Sequence, residues 1–476
     1  AIVGLGPVGA VLANLLGRSG RSTVVLEAAT DVYHLPRAAH FDGEIMRVFQ
    51  HLGLADELVA AVTPVLGMDF VDAAGERIFG FDRADRDLRD GWDAGYLFYQ
   101  PELERVLRRG VERYPEVEVR LGTEVCDLRL SESGVELDTV ALASGARRTY
   151  AAKWLVGCDG ARSIVRKHRG IALDDSGFDQ PWLVVDTMLR PDATCALPDR
   201  VHQICDPARP ATFVPSVGEH RRWEVMLLDD DTADAVLQPE RIAELLSPWV
   251  TVGRDVDVIR AAVYSFHALL ATRWRDGRVL LAGDAAHQMP PFLGQGMCAG
   301  IRDARNLAWK LDLVLDGVAS DALLDTYQQE REPHVRAITD LAVTLGGIIQ
   351  TTDPDVAAAR DEAIRGGAGP VEQQGMPAIG AGLVVRPGVS GTHVGRTLPQ
   401  GRPGADDRLG DGFALVGPRA AALDVSAFPF PLARVVEAGA ATALVRPDRI
   451  VAAVVDDQPA FDAFVDVVSE YARLRG

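Results

Sequence analysis

Three glycines and one glutamate near the start of the chain have the types and spacing that bind a dinucleotide. Gly4, Gly6 and Gly9 follow an apolar strand and open a helix, and Glu27 ends the next strand. Gly4 permits a tight turn, Gly6 lets the backbone approach a pyrophosphate, and Gly9 lets the helix pack closely on the sheet. Glu27 lies where a carboxylate binds the ribose 2′-hydroxyl. The predicted ligand is NAD or FAD, because a carboxylate at this position disfavours the 2′-phosphate of NADP.

Two further motifs place an aspartate directly after an apolar strand. The first is Cys-Asp-Gly-Ala-Arg-Ser-Ile-Val-Arg, in which a strand ends at Asp159 and a helix follows. The second is Leu-Ala-Gly-Asp-Ala-Ala-His, with Gly283 and Asp284 at its centre, and it leads into Pro-Pro-Phe-Leu-Gly-Gln-Gly, which ends at Gly296. Such an aspartate can accept hydrogen bonds from ligand hydroxyls. Glycines before a long helix leave unpaired N–H groups and the positive dipole end open to an anion.

The three motifs, in this order, resemble those of the class A single-component FAD-dependent aromatic hydroxylases, which share the para-hydroxybenzoate hydroxylase fold. The resemblance covers about residues 1–345. It is greatest to the 3-(3-hydroxyphenyl)propionate hydroxylases, through Pro-Arg-Ala at 36–38, Cys-Asp-Pro-Ala-Arg-Pro at 205–210, Arg-Arg-Trp-Glu at 221–224 and Asp-Ala-Leu-Leu-Asp-Thr-Tyr-Gln-Gln-Glu at 321–330. It implies an α/β fold in which a Rossmann-like FAD-binding domain carries an inserted β-sheet substrate domain and long helices.

The resemblance also implies which residues hold a tightly but non-covalently bound FAD. Asp284 would accept hydrogen bonds from the ribityl hydroxyls, Arg37 would lie near the pyrophosphate and Gln100 near the ribityl chain. The residues expected to contact FAD are Gly4, Gly6, Gly9, Glu27, Arg37, Gln100, Val125, Asp159, Gly283, Asp284, Gly296, Met297 and Cys298. Cys298 stands where these hydroxylases usually have Asn, which puts a side-chain hydrogen bond to the flavin edge in doubt. An inert buried thiol is favoured there over a redox role.

The implied reaction is the hydroxylation of a phenol with NAD(P)H and O₂. In the family, NADH or NADPH binds transiently and reduces FAD, and O₂ then forms a flavin C4a-hydroperoxide that transfers oxygen to the ring. Asp159 and Arg166 belong to a motif implicated in both nucleotides. The chain has no second glycine fingerprint and no CxxC, so it does not resemble a disulfide reductase, and it lacks the Trp-x-Trp-x-Ile-Pro signature of flavin halogenases. A 3-(3-hydroxyphenyl)propionate-type phenol is the expected substrate.

Two alternatives remain open at the level of the sequence. One is a tailoring hydroxylase of the same fold that acts on an aromatic polyketide, and the other is a flavin-fold binding or escort protein without turnover. An intact ribityl aspartate argues against the escort protein. The sequence leaves the choice between NADH and NADPH open.

The sequence indicates the residues that contact the substrate less clearly than those that contact the cofactor. The apolar run at 289–293, beside the flavin motif, is expected to roof the substrate. The candidates for contact with the phenol are Tyr264, His267 and His202, with Tyr99 as a further one. His287 is expected to make a structural hydrogen bond, and Arg209 or Arg222 could pair with a substrate carboxylate. No protein nucleophile and no metal site is predicted.

Apolar periodicity predicts the elements that position these residues. We predict helices over 7–20, 43–52, 101–114, 296–315, 323–345 and 459–474, and strands that include 22–27, 117–121, 125–130, 135–142, 154–158, 278–282, 413–416, 443–445 and 450–455. The predicted units are an FAD-binding domain in two parts (1–180 and 271–350), a substrate-binding sheet (181–270), a linker (351–412) and a C-terminal domain (413–476). The C-terminal domain resembles the thioredoxin-like tail of phenol hydroxylase relatives. It has no cysteine, so a structural or oligomerisation role is expected.

The bulk composition narrows the class of partner. A formal net charge of −19 over 476 residues disfavours nucleic acid and anionic membrane surfaces. No run of apolar residues is long enough to predict a transmembrane helix. The five cysteines are scattered, which predicts neither a disulfide framework nor a zinc site and favours a cytoplasmic protein. The sequence leaves the number of subunits open, a homo-oligomer included.

Overall fold

A six-stranded sheet brings the three predicted motifs to one edge. The computed structural model describes residues 1–34, 36–82, 88–368, 376–385, 393–439 and 441–473. In spatial order the strands are Arg275–Asp276, Val279–Leu281, Leu155–Gly157, Ile2–Val3, Thr23–Leu26 and Val117–Arg120. All neighbours are parallel except the first pair. Since the three strands that precede the motifs are adjacent and parallel, their carboxyl ends lie side by side, which is where α/β sheets bind ligands.

Helices cover this sheet and continue beyond it. In chain order they are α1 (Pro7–Arg18), α2 (Gly43–His51), α3 (Ala55–Val59), α4 (Gln100–Val111), α5 (Ile164–His168), α6 (Ala233–Val236), α7 (Pro239–Leu246), α8 (Gly296–Leu315), α9 (Asp325–Ile349), α10 (Pro354–Arg365) and α11 (Gln458–Ser469). Helix α1 packs against α4 and α8. The predicted long helices over 296–315 and 323–345 correspond to α8 and α9. No helix among the described residues is both long and apolar enough to cross a membrane.

An eight-stranded sheet lies beside the first one. Its strands, in spatial order, are His287–Gln288, Val256–Ala271, Leu173–Leu189, His220–Met226, Ala211–Val214, Val201–Ile204, Gly67–Val71 and Arg77–Asp82. The sheet therefore extends beyond the predicted 181–270 segment and includes two strands from residues 67–82. One face packs through Trp223 and Phe213 against the apolar side of α7. Side chains alternate along each strand, so the neighbouring residues point to the other face.

Two small sheets complete this part of the chain. One contains Thr123–Leu130, Val135–Ala141 and Arg147–Ala152, and the other His40–Asp42, Gly95–Phe98 and Val62–Pro64. The strands expected over 125–130 and 135–142 are therefore present with nearly the predicted bounds.

The C-terminal residues form a four-stranded sheet with one helix. The strand order is Leu432–Val435, Phe413–Val416, Ala443–Val445 and Val451–Val454, of which the first pair is parallel and the others antiparallel. The fully described stretch 417–431 contains no helix between the first two strands along the chain, and the thioredoxin-like assignment stays a prediction. Residue 474, the predicted end of the last helix, lies outside the described residues.

Part of the predicted linker is helical. Helix α10 begins after Asp353, whose carboxylate accepts the N–H groups of Asp355 and Val356, and Pro354 occupies its first position. Both are ordinary helix-start signals that the composition of 351–412 obscures. Residues 369–375 and 386–392 of this segment lie outside the described part of the chain.

Candidate active site

A cavity of about 750 Å³ is lined by residues of both large sheets and of the loops that follow the three motifs. Its volume is that of a site for a cofactor or a drug-sized ligand, which is about 300–1,000 Å³. Eleven of the sixteen residues predicted to contact FAD or substrate line it: Gly4, Gly6, Glu27, Arg37, Gln100, Val125, Asp159, Asp284, Gly296, Met297 and His267. The structure therefore brings most of the predicted contact residues to one cavity, together with many lining residues that the sequence did not indicate.

The glycine loop at the start of α1 is held by Glu27. One carboxylate oxygen accepts the Leu5 N–H at 2.6 Å and the other accepts the Ala29 N–H at 2.8 Å. An added Cβ at Gly6 would have no atom within 4 Å, so the backbone there is open to the cavity. At Gly9 an added Cβ would lie 2.1 Å from the Gly4 carbonyl oxygen. Gly9 therefore acts from behind the cavity, by allowing α1 to pack on the loop.

Asp159 caps α5 rather than pointing both oxygens at a ligand. Its carboxylate accepts the Ser163 hydroxyl at 2.6 Å and the Ile164 N–H at 2.7 Å. Arg166, on α5, donates to the carbonyl oxygens of Ala285, at 3.0 Å, and of Ala161. The second motif thus braces the turn that carries the third.

Asp284 is the carboxylate that faces the cavity from the third motif. It is exposed to the cavity, and no hydrogen bond to its side chain occurs among the described residues. Its position deep in the protein raises the pKa of its carboxyl by desolvation, although His287 and Arg37 oppose the shift. Gly283 has φ +63°, and an added Cβ would lie 2.9 Å from Val8, so the turn requires glycine.

A buried network behind Asp284 fixes this turn. Asp303 accepts the Gly283 N–H at 3.1 Å, a hydrogen bond with His287 Nε2 at 2.6 Å and the Arg331 Nε–H at 2.9 Å. Burial alone would raise the pKa of Asp303, but His287 and Arg331 lower it. His287 is fully buried and does not line the cavity, which agrees with the structural role expected for it.

The start of α8 supplies backbone N–H groups to the cavity. Gly296 and Met297 line it, whereas Cys298 is buried with its thiol 3.8 Å from the Gly294 carbonyl oxygen. Burial raises the pKa of Cys298 strongly, so the thiol stays protonated at neutral pH. Its side chain does not reach the cavity, and the geometry agrees with an inert thiol.

Arg37 lies on a loop that is clamped from two sides. Gln100 Oε1 accepts the N–H groups of Arg37 and Ala38, both at 2.7 Å, and Gln100 Nε2 donates to Glu104. From the eight-stranded sheet, Arg222 Nη1 donates to the Arg37 carbonyl oxygen at 2.7 Å. The Gln100 amide is therefore engaged in positioning the loop, while the Arg37 side chain is exposed to the cavity.

The structure separates the predicted substrate residues. His267 lines the cavity, but His202 does not, because its neighbours Val201 and Gln203 on the same strand occupy the cavity face. Tyr264 also lies off the cavity, with its ring 5.1 Å below the guanidinium carbon of Arg260.

Three other candidates have partners of their own. Tyr99 stacks on His220 with ring centres 4.3 Å apart, and Arg209 pairs with Asp231, away from the cavity. Arg222 lines the cavity, but each of its three nitrogens donates to a protein oxygen.

Sequence reasoning missed a row of polar side chains on the eight-stranded sheet. Gln203, Thr212 and Glu224 lie in register on three adjacent strands and all line the cavity. Strand alternation around the buried Trp223 could have shown that Glu224 and Arg222 share a face, but not which face the cavity occupies.

The lining fits FAD. The open backbone at Gly6 matches the pyrophosphate, and the helix start at Gly296 matches an anionic ring edge. The carboxylate of Asp284, which has no hydrogen bond among the described residues, matches the ribityl hydroxyls. Glu27 reaches the cavity where the adenosine ribose of such a ligand would lie.

Known proteins with related sequences and structures support the same assignment. The family model described as FAD binding domain matches residues 1–342. A probable NADH-specific resorcinol 4-hydroxylase of Rhodococcus jostii (strain RHA1) is 42% identical over 393 residues, which cover 82% of this chain and 73% of the relative. A 3-(3-hydroxy-phenyl)propionate/3-hydroxycinnamic acid hydroxylase of Mycobacterium sp. (strain JLS) is 41% identical over 366 residues, which cover 77% of this chain and 62% of the relative.

Solved structures agree in fold. The crystal structure of aklavinone-11 hydroxylase with FAD and aklavinone superposes with a TM-score of 0.82 over 98% of both chains, at 22% identity. The structure of p-nitrophenol 4-monooxygenase PnpA from Pseudomonas putida DLL-E4 gives a TM-score of 0.70 over 77% of this chain and 92% of the other, at 26% identity. The chain belongs to the FAD binding domain family, as one of its FAD-dependent aromatic hydroxylases.

Proposed function

We propose that the protein is a monooxygenase that uses FAD, NAD(P)H and O₂ to hydroxylate a single-ring phenol with a substituent at the 3-position. Resorcinol and 3-(3-hydroxyphenyl)propionate, which appear in the names of two relatives, are both phenols of this kind. One observation carries the proposal: the cavity that presents Asp284 and the start of α8 is also lined by the polar row of the eight-stranded sheet. In this proposal cofactor and substrate therefore occupy one cavity.

Each wall of the cavity has a separate task in this proposal. When bound, FAD would supply the electron transfer from NAD(P)H and the activation of O₂. Asp284 would accept the ribityl hydroxyls, and the N–H groups at Gly296 and Met297 would stabilise negative charge on the flavin ring. Met289 and Phe292 give the cavity an apolar section next to these groups, which excludes water from the reacting atoms.

The relatives of similar sequence favour a single aromatic ring over a polycyclic polyketide. The two whose names contain single-ring phenols are 42% and 41% identical to this chain. The likeness to aklavinone-11 hydroxylase, at 22% identity, concerns the fold. We therefore rank polyketide tailoring below hydroxylation of a simple phenol.

The proposal also concerns the cellular compartment and the number of subunits. All five cysteines are free, which suits a reducing compartment such as the cytoplasm. Gel filtration with light scattering would give the number of subunits.

The test is turnover by the purified protein. We expect a yellow protein with bound FAD that oxidises NADH slowly alone and faster when resorcinol or 3-(3-hydroxyphenyl)propionate is added. Mass spectrometry after incubation under ¹⁸O₂ should show one ¹⁸O atom in the product. A protein that does not bind FAD, or that consumes NADH without labelling any phenol, would overturn the proposal.

A further inference from the structure

The eight-stranded sheet presents to the cavity one buried carboxylate without a hydrogen bond. Glu224 lies on the strand His220–Met226, is 8% exposed and lines the cavity. Among the described residues its nearest charged neighbour is Arg222, whose Nη1 is 3.8 Å from Glu224 Oε1. That separation is too long for a hydrogen bond. A buried carboxylate is ordinarily hydrogen-bonded, and this one keeps access to the cavity, from which a ligand can donate to it.

Arg222 does not satisfy Glu224, because it is committed elsewhere. Its Nε donates to Asp186 at 2.7 Å, and its two terminal nitrogens donate to the carbonyl oxygens of Arg37 and Pro36 at 2.7 and 2.9 Å. The guanidinium is thus a clamp between the sheet and the Arg37 loop.

The neighbouring polar groups are also engaged. Thr212, which pairs in register with Glu224, donates its hydroxyl to Gln203 Oε1 at 2.6 Å. Gln203 Nε2 lies 3.5 Å from the Phe292 carbonyl oxygen, in the loop that leads to α8. The three side chains therefore form a row across the sheet that begins at the loop containing Phe292. Glu224 is the one whose oxygens accept no hydrogen bond among the described residues.

The electrostatic surroundings make Glu224 a stronger base than an exposed glutamate. Burial raises the pKa of its carboxyl, Arg222 lowers it and Asp186, on the adjacent strand, raises it. The titratable or charged side chains that line the cavity on other elements are Glu27, Asp31, Tyr33, Arg37, His40, Glu104, Arg108, Glu124, Cys158, Asp159, Arg162, His267 and Asp284. A neutral ligand group that donates a hydrogen bond suits this carboxylate, whereas a second carboxylate would be repelled.

We propose that Glu224 is a catalytic residue that binds the phenol hydroxyl and accepts its proton. The phenol O–H bond breaks, the proton forms a bond to a Glu224 carboxylate oxygen, and the electron pair stays on the phenolate oxygen. The phenolate is the more nucleophilic form of the ring that must be hydroxylated. This assignment rests on the proposed function, since it names the group that prepares the phenol in the same cavity.

The proposal also ranks substrates. Glu224 accepts a hydrogen bond from a neutral phenol, and the one guanidinium that the sheet contributes to the described lining, Arg222, is already bound. An uncharged substrate with a second hydroxyl, such as resorcinol, should therefore bind more tightly than 3-(3-hydroxyphenyl)propionate.

The first experiment needs only the FAD-loaded wild type. Perturbation of the flavin absorption spectrum reports the Kd of resorcinol and of its dimethyl ether, which cannot donate a hydrogen bond or a proton. We expect at least tenfold weaker binding of the ether. Equal Kd values for the two ligands, or no binding of either, would overturn the role of Glu224.

The second experiment compares Glu224→Gln with Glu219→Gln, a matched change at an exposed glutamate beside the same strand. Glu224→Gln should lower kcat with resorcinol by about 100-fold near neutral pH, because general-base catalysis contributes roughly 10²–10⁴-fold. The rate of the variant should then rise with pH as free phenolate accumulates, towards the phenol pKa of about 10. Glu219→Gln should behave like the wild type.

The outcomes separate the two proposals. Unchanged kcat and pH profile in Glu224→Gln, with normal product, would refute the role of Glu224 and leave the hydroxylase assignment intact. Discrimination between resorcinol and its ether that is present in the wild type and lost in Glu224→Gln, without any ¹⁸O-labelled product, would refute the hydroxylase and leave Glu224 as the hydroxyl-binding group. If Glu224→Gln does not fold, Glu224→Asp keeps the base, and its pH profile should stay close to that of the wild type.

Discussion

Two buried glutamates of this protein have opposite surroundings. Glu330, on α9, is 1% exposed and accepts hydrogen bonds from Asn306, Lys310 and Arg446 at 2.7–2.8 Å on one oxygen, and from the Leu383 N–H at 2.9 Å on the other. Glu224 is almost as buried, and no group donates to it among the described residues. The first joins the C-terminal sheet to α8 and α9, and the second faces a cavity.

The pKa values of the two carboxyls move in opposite directions. Burial raises both, but at Glu330 the charges of Arg446 and Lys310 prevail and lower the pKa to about 2. At Glu224 burial prevails and the pKa is raised. A fully partnered buried charge holds the fold together, while a buried charge with an open acceptor is available to a ligand.

The largest expected effect is the loss of the partnered charge. Glu330→Ala leaves Lys310 buried without its ion-pair partner and Arg446 with Asp448 alone, so the free energy of unfolding should fall by about 3–5 kcal/mol. Urea denaturation followed by tryptophan fluorescence would measure this loss. Glu470→Ala, at an exposed glutamate, is the control and should change the stability by less than about 0.5 kcal/mol. If both variants lost similar amounts of unfolding free energy, the hydrogen bonds and ion pairs of Glu330 would contribute no more to stability than an exposed glutamate does.

A second effect follows from the low pKa of Glu330. Because its pKa in the folded state is below the ordinary value of 4.5, the ionised form contributes stability that is complete above about pH 4.5 and disappears as the pH falls towards about 2. The contribution is of the order of 3 kcal/mol. Denaturation curves between pH 6 and pH 3 should show the wild type approaching Glu330→Gln as the pH falls. A constant difference between the two would contradict the shift.

A third prediction concerns Asp284, another carboxylate that lines the cavity. Asp284→Ala should weaken FAD binding by about 10–100-fold, since hydrogen bonds to a charged group contribute about 1.5–3 kcal/mol. Fluorescence titration of apoprotein with FAD measures the Kd. The free energy of unfolding of the apoprotein should not fall, because Asp284 has no hydrogen-bonded protein partner among the described residues. A loss of stability with unchanged FAD affinity would show that Asp284 stabilises the fold and does not bind FAD.

The smallest effect is expected for the stability of Glu224→Gln. The raised pKa of Glu224 means that its ionised form costs folding free energy at pH values above that pKa. Removing the charge should leave the melting temperature unchanged or slightly higher between pH 5 and pH 8. Differential scanning fluorimetry over this range measures it. A marked loss of stability would mean that Glu224 is partnered in solution and resembles Glu330 after all.

The two glutamates also mark what the sequence could predict. The turns at strand ends are determined by a few consecutive residues, so a motif can predict them. This is why the sequence indicated Gly4, Gly6, Glu27 and Asp284. Which face of a strand meets the cavity depends on how whole sheets pack, so His202 was a candidate and Glu224 was not.

Contacts between residues far apart in the chain could not be predicted from the sequence either. The partnership of Glu330 with Arg446 joins residues 116 positions apart, and no periodicity in either segment indicates it. At the level of elements, the bounds of the long helices were predictable from their apolar repeat, whereas the strand Leu432–Val435 has only a short and half-buried pattern.

Helix α8 connects the residues around Glu330 to the cofactor cavity. Gly296 and Met297, in its first turn, line the cofactor cavity, and Asn306 and Lys310 on the same helix bind Glu330. The cofactor cavity thus contacts the first turn of α8, and the C-terminal unit is attached through Glu330 to the second half of the same helix. A shortened protein that ended at residue 412 would lack Arg446 and would lose this attachment. For protein engineering, the C-terminal unit is therefore not an exchangeable module, and a swap with a relative's tail must bring its own guanidinium to Glu330.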